Sequence, residues 1–195
     1  MTADPPPRER AIRAFVALPF PDRLRGDVAE TIRRLTPLVP GMRFVRDEGV
    51  HVTLRFLGWT RADTVARLEA PLRAAASQCP PLDVRVRGLG MFPERGAPRV
   101  LWLGLEMPAE GAALQAACEK AAVASGFEPE TRAFHPHLTL GRWRDRARRP
   151  RLPDLDLGSA HVGELVLYRS DLRPSGSVYT PLAVFPLGGA AAPVG

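Results

Sequence analysis

His51-Val52-Thr53-Leu54 and His137-Leu138-Thr139-Leu140 are two copies of one tetrapeptide pattern, and each copy lies inside an apolar stretch of strand length. Alternate side chains of a β-strand point to opposite faces, so the histidine and the threonine of each copy share one face. The apolar residues of each copy are expected to meet the core, while the polar face lines a cleft or meets solvent. The pattern therefore predicts that the two strands lie together and present two imidazoles and two hydroxyls to one small volume.

Two imidazoles in one site are suited to phosphodiester chemistry. One takes a proton from the attacking oxygen while the other gives a proton to the leaving oxygen, and an ordinary pKa of about 6.5 allows both protonation states at neutral pH. The hydroxyls of Thr53 and Thr139 could then donate to the non-bridging oxygens, so that developing charge meets fixed donors. A single His-x-Thr in a strand is usually a packed or surface histidine. Two copies in a chain with 4 histidines favour the catalytic interpretation.

The hydrophobic patterns on either side of the motifs predict an α+β fold rather than a doubly wound parallel sheet. Strands are expected at 12–18, 42–45, 50–57, 82–86, 99–105, 137–143, 163–170 and 178–185. A first helix is expected to begin after Asp22 as its N-cap, to carry Leu24 to Leu35 and to end before Pro37. Further helices are expected at 60–78 and 109–124, and an arginine- and proline-rich loop at 145–157. We expect one domain at 11–187, with a disordered leader at 1–10 and a disordered tail at 188–195.

Composition narrows the function classes. The 27 basic and 21 acidic residues give a formal net charge of +6, which suits a polyanionic partner. Lys120 is the only lysine, and an arginine bias of this kind also arises from a GC-rich genome, so charge alone leaves nucleic-acid binding open. The sequence contains no signal peptide, no stretch long enough to span a membrane, and no glycine-rich phosphate loop. Cys79 and Cys118 lack metal-type spacing and are expected to be buried free thiols in a cytoplasmic protein.

The motif regions resemble those of a known family. The segments 51–58 (HVTLRFLG) and 134–142 (FHPHLTLGR) resemble the two signature motifs of the 2H phosphoesterases. Within that superfamily they are similar to the bacterial and archaeal RNA 2′,3′-cyclic phosphodiesterases, historically called 2′-5′ RNA ligases. The resemblance spans 11–187, with further agreement at 13–18, 98–104, 167–170 and 179–182. It implies a bilobal fold of two pseudo-symmetric lobes, each an antiparallel sheet flanked by helices, with a cleft between them.

The resemblance also implies an activity and a role for each motif residue. The activity is hydrolysis of a terminal RNA 2′,3′-cyclic phosphate to a 2′-phosphate, without metal or nucleotide cofactor. In reverse, a 5′-hydroxyl replaces water and a 2′-5′ bond forms without ATP. His51 would protonate the departing 3′ oxygen and His137 would activate water, although the two roles exchange in the reverse reaction. Thr53 and Thr139 would hold phosphate oxygens, and Arg142 matches an arginine that supports the phosphate.

Strand alternation conflicts with the resemblance at one arginine. By strict alternation, Arg142 falls on the face of Leu138 and Leu140, opposite His137, and reaches a phosphate only if the strand bulges, twists or ends near Gly141. Arg55 shares the face of His51 by the same count. Arg142 is therefore expected from resemblance, and Arg55 from alternation, as the residue that clamps the phosphate.

Other candidates are less specific. Phe15, Trp102 and Tyr179 could stack on a base, although aromatic residues in strands more often belong to the core. His135 is expected to order the entrance to the second motif strand, because no third ligand accompanies the His-x-His pair and no metal site is predicted. The loop that follows the second motif strand is expected to contact the RNA backbone through its arginines, which are Arg142, Arg144, Arg146, Arg148, Arg149 and Arg151.

These observations predict a monomeric enzyme that acts on RNA with a 2′,3′-cyclic phosphate end, with tRNA fragments as one candidate source, and that does not bind membranes. Two alternatives remain open from the sequence. One is a 2H phosphoesterase that acts on a small cyclic phosphate or on a 2′-5′ oligonucleotide. The other is a non-catalytic RNA-binding protein that keeps the fold.

Overall fold

Two antiparallel β-sheets flanked by helices make up the computed structural model, which describes residues 11–45, 50–173 and 176–189. Within these residues, nine strands are β1 Ile12–Pro19, β2 Met42–Phe44, β3 His51–Thr60, β4 Leu82–Phe92, β5 Val100–Glu106, β6 His137–Trp143, β7 Asp156–Val162, β8 Glu164–Arg173 and β9 Gly176–Pro186. The α-helices of the same residues are α1 Asp22–Leu35, α2 Ala62–Ala66, α3 Glu69–Gln78 and α4 Ala109–Ala124.

Each sheet carries one copy of the tetrapeptide. The first sheet has the order β3-β1-β8-β9 and contains the His51 motif in β3. The second has the order β2-β6-β5-β4-β7 and contains the His137 motif in β6. The predicted α+β class, with two antiparallel sheets and one motif in each lobe, is confirmed.

The core forms where the apolar faces of the sheets meet the helices. In β4, the side chains of Leu82, Val84 and Val86 are buried, while those of Asp83 and Arg85 between them are exposed. This alternation is what a sheet with one buried face requires. The opposite faces of β3 and β6 are therefore available to form a site.

Two helices cross from one lobe to the other. Helix α4 follows β5 of the second sheet but packs against β3 of the first, where the Gln115 side-chain amide donates to the Leu54 carbonyl oxygen at 3.4 Å. Helix α1 follows β1 of the first sheet but contacts β7 of the second. The lobes are therefore held together by packing as well as by the chain. No helix in the described ranges is long and apolar enough to span a membrane.

The helix predictions were partly right. Helix α4 has the predicted bounds, and α1 ends before Pro37 as predicted, although Pro21 rather than Asp22 occupies its N-cap. The single helix predicted at 60–78 is wrong, because it divides into α2 and α3 after a longer β3. Pro71 lies in the first turn of α3, and it has no amide to donate to the carbonyl four residues earlier at Arg67, where α2 has ended.

The predicted strands differ from the observed ones mainly at their ends, and the edge strand β7 has no predicted counterpart. Strand β7 begins at Asp156, inside the predicted loop 145–157, and as the edge of its sheet it pairs only with β4. The predicted leader 1–10 lies outside the described residues, as does most of the predicted tail. The first residues of that tail belong to a 3-10 turn, Leu187–Gly189, in which the Gly188 amide donates to the Cys79 carbonyl oxygen at 2.6 Å.

Candidate active site

Strand β3 places its motif on the concave face of the first sheet. Val52 and Leu54 are buried in the core, while His51 and Thr53 are half-buried on the opposite face. The pairing register with β1 shifts on either side of Phe56, and Gly58 adopts a φ of 70° beside the second shift. The first bulge leaves Leu54 without a partner in β1 and so moves Phe56 to the face of His51 and Thr53. The second, at Leu57, keeps Trp59 on that face.

Strand β6 uses a bulge in the same way. Its register with β5 shifts between the pairs Leu101–Gly141 and Trp102–Thr139, which leaves Leu140 without a partner in β5. The shift moves Arg142 to the face of Thr139. A side chain at Gly141 would have no room, because its Cβ would lie 2.7 Å from the Met42 sulfur on β2. The bulge required for Arg142 to face the site is therefore present.

The two motif faces line one cavity of about 170 Å³. Both histidines and both threonines contribute to its wall, together with Arg142. The other residues of this wall are Arg13, Phe15, Val45, Phe56 and Tyr179. The structure thus brings together, around one small volume, the groups that the tetrapeptide pattern predicted would meet.

Aromatic rings surround His51. Its imidazole centroid lies 4.8 Å from that of Phe15, 5.1 Å from that of Tyr179 and 6.1 Å from that of Tyr168. The Tyr179 ring is almost perpendicular to the imidazole, at 89°. Packing of this kind fixes the direction of the imidazole, since neighbouring rings restrict rotation of the side chain.

His137 is held by a backbone hydrogen bond. Its Nδ1 lies 2.6 Å from the carbonyl oxygen of His135, and a carbonyl oxygen only accepts, so Nδ1 carries the proton. Burial lowers the pKa of His137, and the positive charge of Arg142 acts in the same direction, while the His135 carbonyl opposes it. In the enzyme without substrate, the His137 imidazole is therefore neutral at neutral pH, and its lone pair lies on Nε2.

Arg55 does not line the cavity of about 170 Å³, so the prediction that it shares the face of His51 is wrong, although it lines the adjoining cavity of about 570 Å³ that contains His137. The bulge that precedes Phe56 turns the Arg55 side chain away from His51, and only 8% of it is exposed. Its Nε lies 2.7 Å from a carboxylate oxygen of Glu119 on α4, and its other two nitrogens donate to the carbonyl oxygens of Phe56 and Glu128. Arg55 is a link between β3 and α4.

The less specific candidates have different positions. Phe15 and Tyr179 line the catalytic cavity, whereas His135 lines an adjoining cavity of about 570 Å³ that also contains His137. Trp102 is half-buried and lines neither of these two cavities. Its indole ring packs on Gly90, where a Cβ atom would lie 2.1 Å from the ring. Its ring contacts both His135 and His137, with centroids 5.0 Å and 6.3 Å away. Trp102 therefore packs against the rings of both His135 and His137 and supports them.

Sequence reasoning missed three residues of the cavity, Arg13, Val45 and Phe56. Phe56 was assigned to the core face but is 39% exposed on the site face. Arg13 lies on β1, where its guanidinium carbon is 4.4 Å from the Phe56 ring centroid and a nitrogen donates to the Ser170 hydroxyl at 2.7 Å. Arg13 could have been found by alternation, because it shares the face of Phe15. Phe56 could not, because nothing in the sequence marks the first bulge.

The described residues contain no group of three or more histidine, cysteine or acidic side chains that could hold a metal ion. The exposed fourth histidine, His161, lies on β7 and contacts Asp83 at 3.1 Å, away from the cavity. Two sheets that each contribute one His-x-Thr strand to a shared cavity define a two-histidine phosphoesterase.

Comparison with known proteins identifies the family. The model of the 2′-5′ RNA ligase superfamily matches residues 20–173. The RNA 2′,3′-cyclic phosphodiesterase of Methanothermobacter thermautotrophicus is 35% identical over 183 residues, which cover 90% of this chain and 99% of that protein. The protein of the same name from Archaeoglobus fulgidus is 32% identical over 181 residues, 89% of this chain and 99% of the relative.

Solved structures agree with this similarity. A Thermus thermophilus crystal structure superposes with a TM-score of 0.81 at 30% identity, over 92% of this chain and all of the other. E. coli LigT in complex with 3′-AMP superposes with a TM-score of 0.76 at 29% identity, over 91% of this chain and 98% of LigT. The chain belongs to the 2′-5′ RNA ligase superfamily, and it is an enzyme of the phosphodiesterase class.

Proposed function

We propose that this enzyme opens terminal 2′,3′-cyclic phosphates of RNA to 2′-phosphates, with His51 and His137 as an acid–base pair. The observation that supports this proposal best is the shared cavity, in which two imidazoles, two threonine hydroxyls and Arg142 surround one volume. The names of the relatives support an RNA substrate, and the complex of LigT with 3′-AMP supports a nucleotide as ligand.

His137 is proposed as the base. Its Nδ1 proton is engaged by the His135 carbonyl oxygen, so Nε2 is the nitrogen that accepts a proton from water. Because burial lowers its pKa, the imidazole is ready to accept at neutral pH. Water oxygen then attacks phosphorus, and its proton passes to Nε2.

His51 is proposed as the acid. As the bond between phosphorus and the ribose 3′ oxygen breaks, protonated His51 gives its proton to that oxygen and leaves a 3′-hydroxyl and a 2′-phosphate. Thr53, Thr139 and Arg142 donate to the non-bridging oxygens, where charge increases in the transition state. With a 5′-hydroxyl in place of water, the same transfers form a 2′-5′ phosphodiester, and neither direction needs ATP.

The cellular setting is part of the same proposal. The arginine-rich loop after β6 is exposed at Arg144, Arg146 and Arg148, which supports contact with the RNA backbone. Cys79 and Cys118 are buried free thiols, and burial raises the pKa of Cys118 to about 12, as expected of unreactive cysteines. We propose a monomer in a reducing compartment, the cytoplasm, with tRNA fragments among its substrates.

The direct test uses an oligonucleotide with a 2′,3′-cyclic phosphate end, incubated in excess chelator with wild-type enzyme and single histidine variants. Wild-type enzyme should yield a 2′-phosphate. His51→Ala and His137→Ala should each lower kcat by about 100-fold or more, as expected for loss of a general acid or base. His161→Ala is the matched control and should be fully active. Full activity of either motif variant would exclude the acid–base pair.

The assignment of acid and base can be tested separately. An aryl phosphodiester analogue that releases nitrophenolate needs no proton on its leaving oxygen. His51→Ala should therefore recover much of its activity on this analogue, whereas His137→Ala should stay slow because water still needs a base. Recovery of His137→Ala alone would reverse the two roles.

A substrate panel separates the proposal from its alternatives. RNA ends, nucleoside 2′,3′-cyclic phosphates and 2′-5′ linked oligonucleotides should be compared by kcat/KM. We expect the RNA end to be processed best. Preference for a small cyclic phosphate or a 2′-5′ linkage would support another 2H phosphoesterase, and RNA binding without any turnover would support a non-catalytic role.

A further inference from the structure

An exposed aromatic residue continues the site face of β3 beyond the catalytic cavity. Trp59 is 65% exposed, more than any other exposed large hydrophobic side chain of the described residues. Residues paired directly across antiparallel strands share a face. In the β1–β3 register the pairs Ala17–Thr53, Phe15–Phe56 and Arg13–Trp59 follow one another. Trp59 therefore lies on the face that carries His51, in a row with Thr53 and Phe56.

A groove of about 500 Å³ lies beside Trp59, and it shares the side chain of Phe56 with the active site. Phe56 lines this groove, the adjoining cavity that contains His137, and the catalytic cavity itself. A chain whose end is held between the two histidines can therefore pass Phe56 and reach Trp59 along one surface.

The chemistry of this surface fits a single-stranded nucleic acid. The Arg13 guanidinium lies over the Phe56 ring, and Arg61 lines the groove beside Trp59. A carboxylate oxygen of Asp63 lies 3.2 Å from the Arg61 Nε and offsets part of the charge of Arg61. Glu128 is the acidic residue of the groove wall. Aromatic faces and arginines together bind bases by stacking and phosphates by charge, whatever the sequence.

We propose that Phe56 and Trp59 form a stacking track that binds the RNA strand on the 5′ side of the reacting cyclic phosphate. The inference rests on the proposed function and extends it to the part of the substrate that does not react. Along β3, Trp59 is roughly 20 Å from His51, farther than one nucleotide extends. The track therefore acts only on substrates several nucleotides long.

The test compares substrate lengths in wild-type enzyme and in Trp59→Ala. For a dodecanucleotide with a 2′,3′-cyclic phosphate end, the variant should raise KM about tenfold or more, the effect of one lost base stack, with kcat unchanged. For a nucleoside 2′,3′-cyclic phosphate, both constants should match those of wild type. Trp59→Phe keeps an aromatic face and should restore most of the affinity. Val123→Ala, an exposed apolar truncation on α4, is the matched control.

Two kinetic outcomes would overturn the inference. One is an unchanged KM for the dodecanucleotide in Trp59→Ala. The other is an equal loss on long and short substrates, which would mean that Trp59 supports the catalytic lobe instead. A wild-type dimer that Trp59→Ala converts to a monomer, with no change in RNA affinity, would also overturn it and assign the face to a protein contact.

A binding measurement distinguishes failure of this inference from failure of the proposed function. Trp143 is buried and Trp102 half-buried, so quenching of indole fluorescence by RNA reports mainly on Trp59. A dodecanucleotide without a cyclic end should quench the fluorescence of wild-type enzyme but barely that of Trp59→Phe. Quenching by RNA, together with no turnover of the dodecanucleotide with a cyclic end, would support the stacking track but contradict the proposed reaction. Turnover of that substrate without quenching would support the proposed reaction but contradict the stacking track.

Discussion

Replacement of Arg55 by methionine should destabilise the protein well beyond the effect of losing a surface charge. The Arg55 side chain is 8% exposed and the Glu119 side chain 23%, and the Arg55 Nε lies 2.7 Å from a Glu119 carboxylate oxygen. Removing one partner of a buried pair leaves a poorly solvated charge, at a cost of 3–5 kcal/mol. Because Glu119 is partly exposed, we expect a loss of about 3 kcal/mol in the free energy of unfolding.

That loss corresponds to a fall of about 6–12 °C in Tm for a chain of this size, and urea unfolding measures it directly. Arg85→Met is the matched control. Its contact with Asp156 is as short, at 2.6 Å, but the two side chains are 47% and 37% exposed, so solvent screens the pair and the loss of stability should be much smaller than that of Arg55→Met. The double variant Arg55→Met/Glu119→Gln should be less destabilised than the two single losses added together, because the unpaired charge is gone.

The same pair should also affect catalysis. The second carboxylate oxygen of Glu119 accepts the backbone amide of Glu130 at 2.9 Å, in the segment that leads to His135 and His137. Arg55 therefore connects the strand of one motif histidine to the approach of the other. Since both histidines are proposed to be catalytic, we expect Arg55→Met to lower kcat without changing the substrate preference. Equal stability of the Arg55 and Arg85 variants, or strict additivity in the double variant, would refute this reasoning.

Three further predictions follow from the site. The acidic limb of kcat/KM should lie below pH 6.5, because burial lowers the pKa of His137; a limb at or above that value would contradict the assignment. Gly141→Ala should lower the free energy of unfolding by about 1–3 kcal/mol through overpacking, because the new Cβ would lie 2.7 Å from the Met42 sulfur. Gly163→Ala, whose Cβ would meet nothing within 4 Å, is the control in the same urea titrations. Replacing the loop arginines at 146, 148 and 151 with glutamine should weaken RNA binding and flatten its salt dependence; unchanged binding across a salt series would exclude this loop from the interface.

Strand alternation predicted much of the fold and the central part of the site from the sequence. It placed His51 with Thr53, and His137 with Thr139, because a period of two holds wherever a strand is regular. It failed for Arg55 and Phe56, since a bulge reverses the alternation and the first bulge of β3 contains no glycine that would mark it. The bulge beside Arg142 was more accessible to prediction, because Gly141 marks the position where β2 approaches closely.

Two copies of the same His-x-Thr-Leu pattern do not give the two histidines the same surroundings, and in the proposed mechanism those surroundings decide the role of each histidine. Arg142, the proposed phosphate ligand, lines the cavity, and in the free enzyme its charge also helps to keep His137 unprotonated. When a phosphodiester anion binds, its negative charge offsets that of Arg142, so the pKa of His137 rises. The base is therefore neutral before the substrate arrives and becomes a stronger proton acceptor once the phosphate is in place. This coupling depends on the bulge at Gly141, because without it Arg142 would lie on the other face of β6 and would neither bind the phosphate nor act on the base.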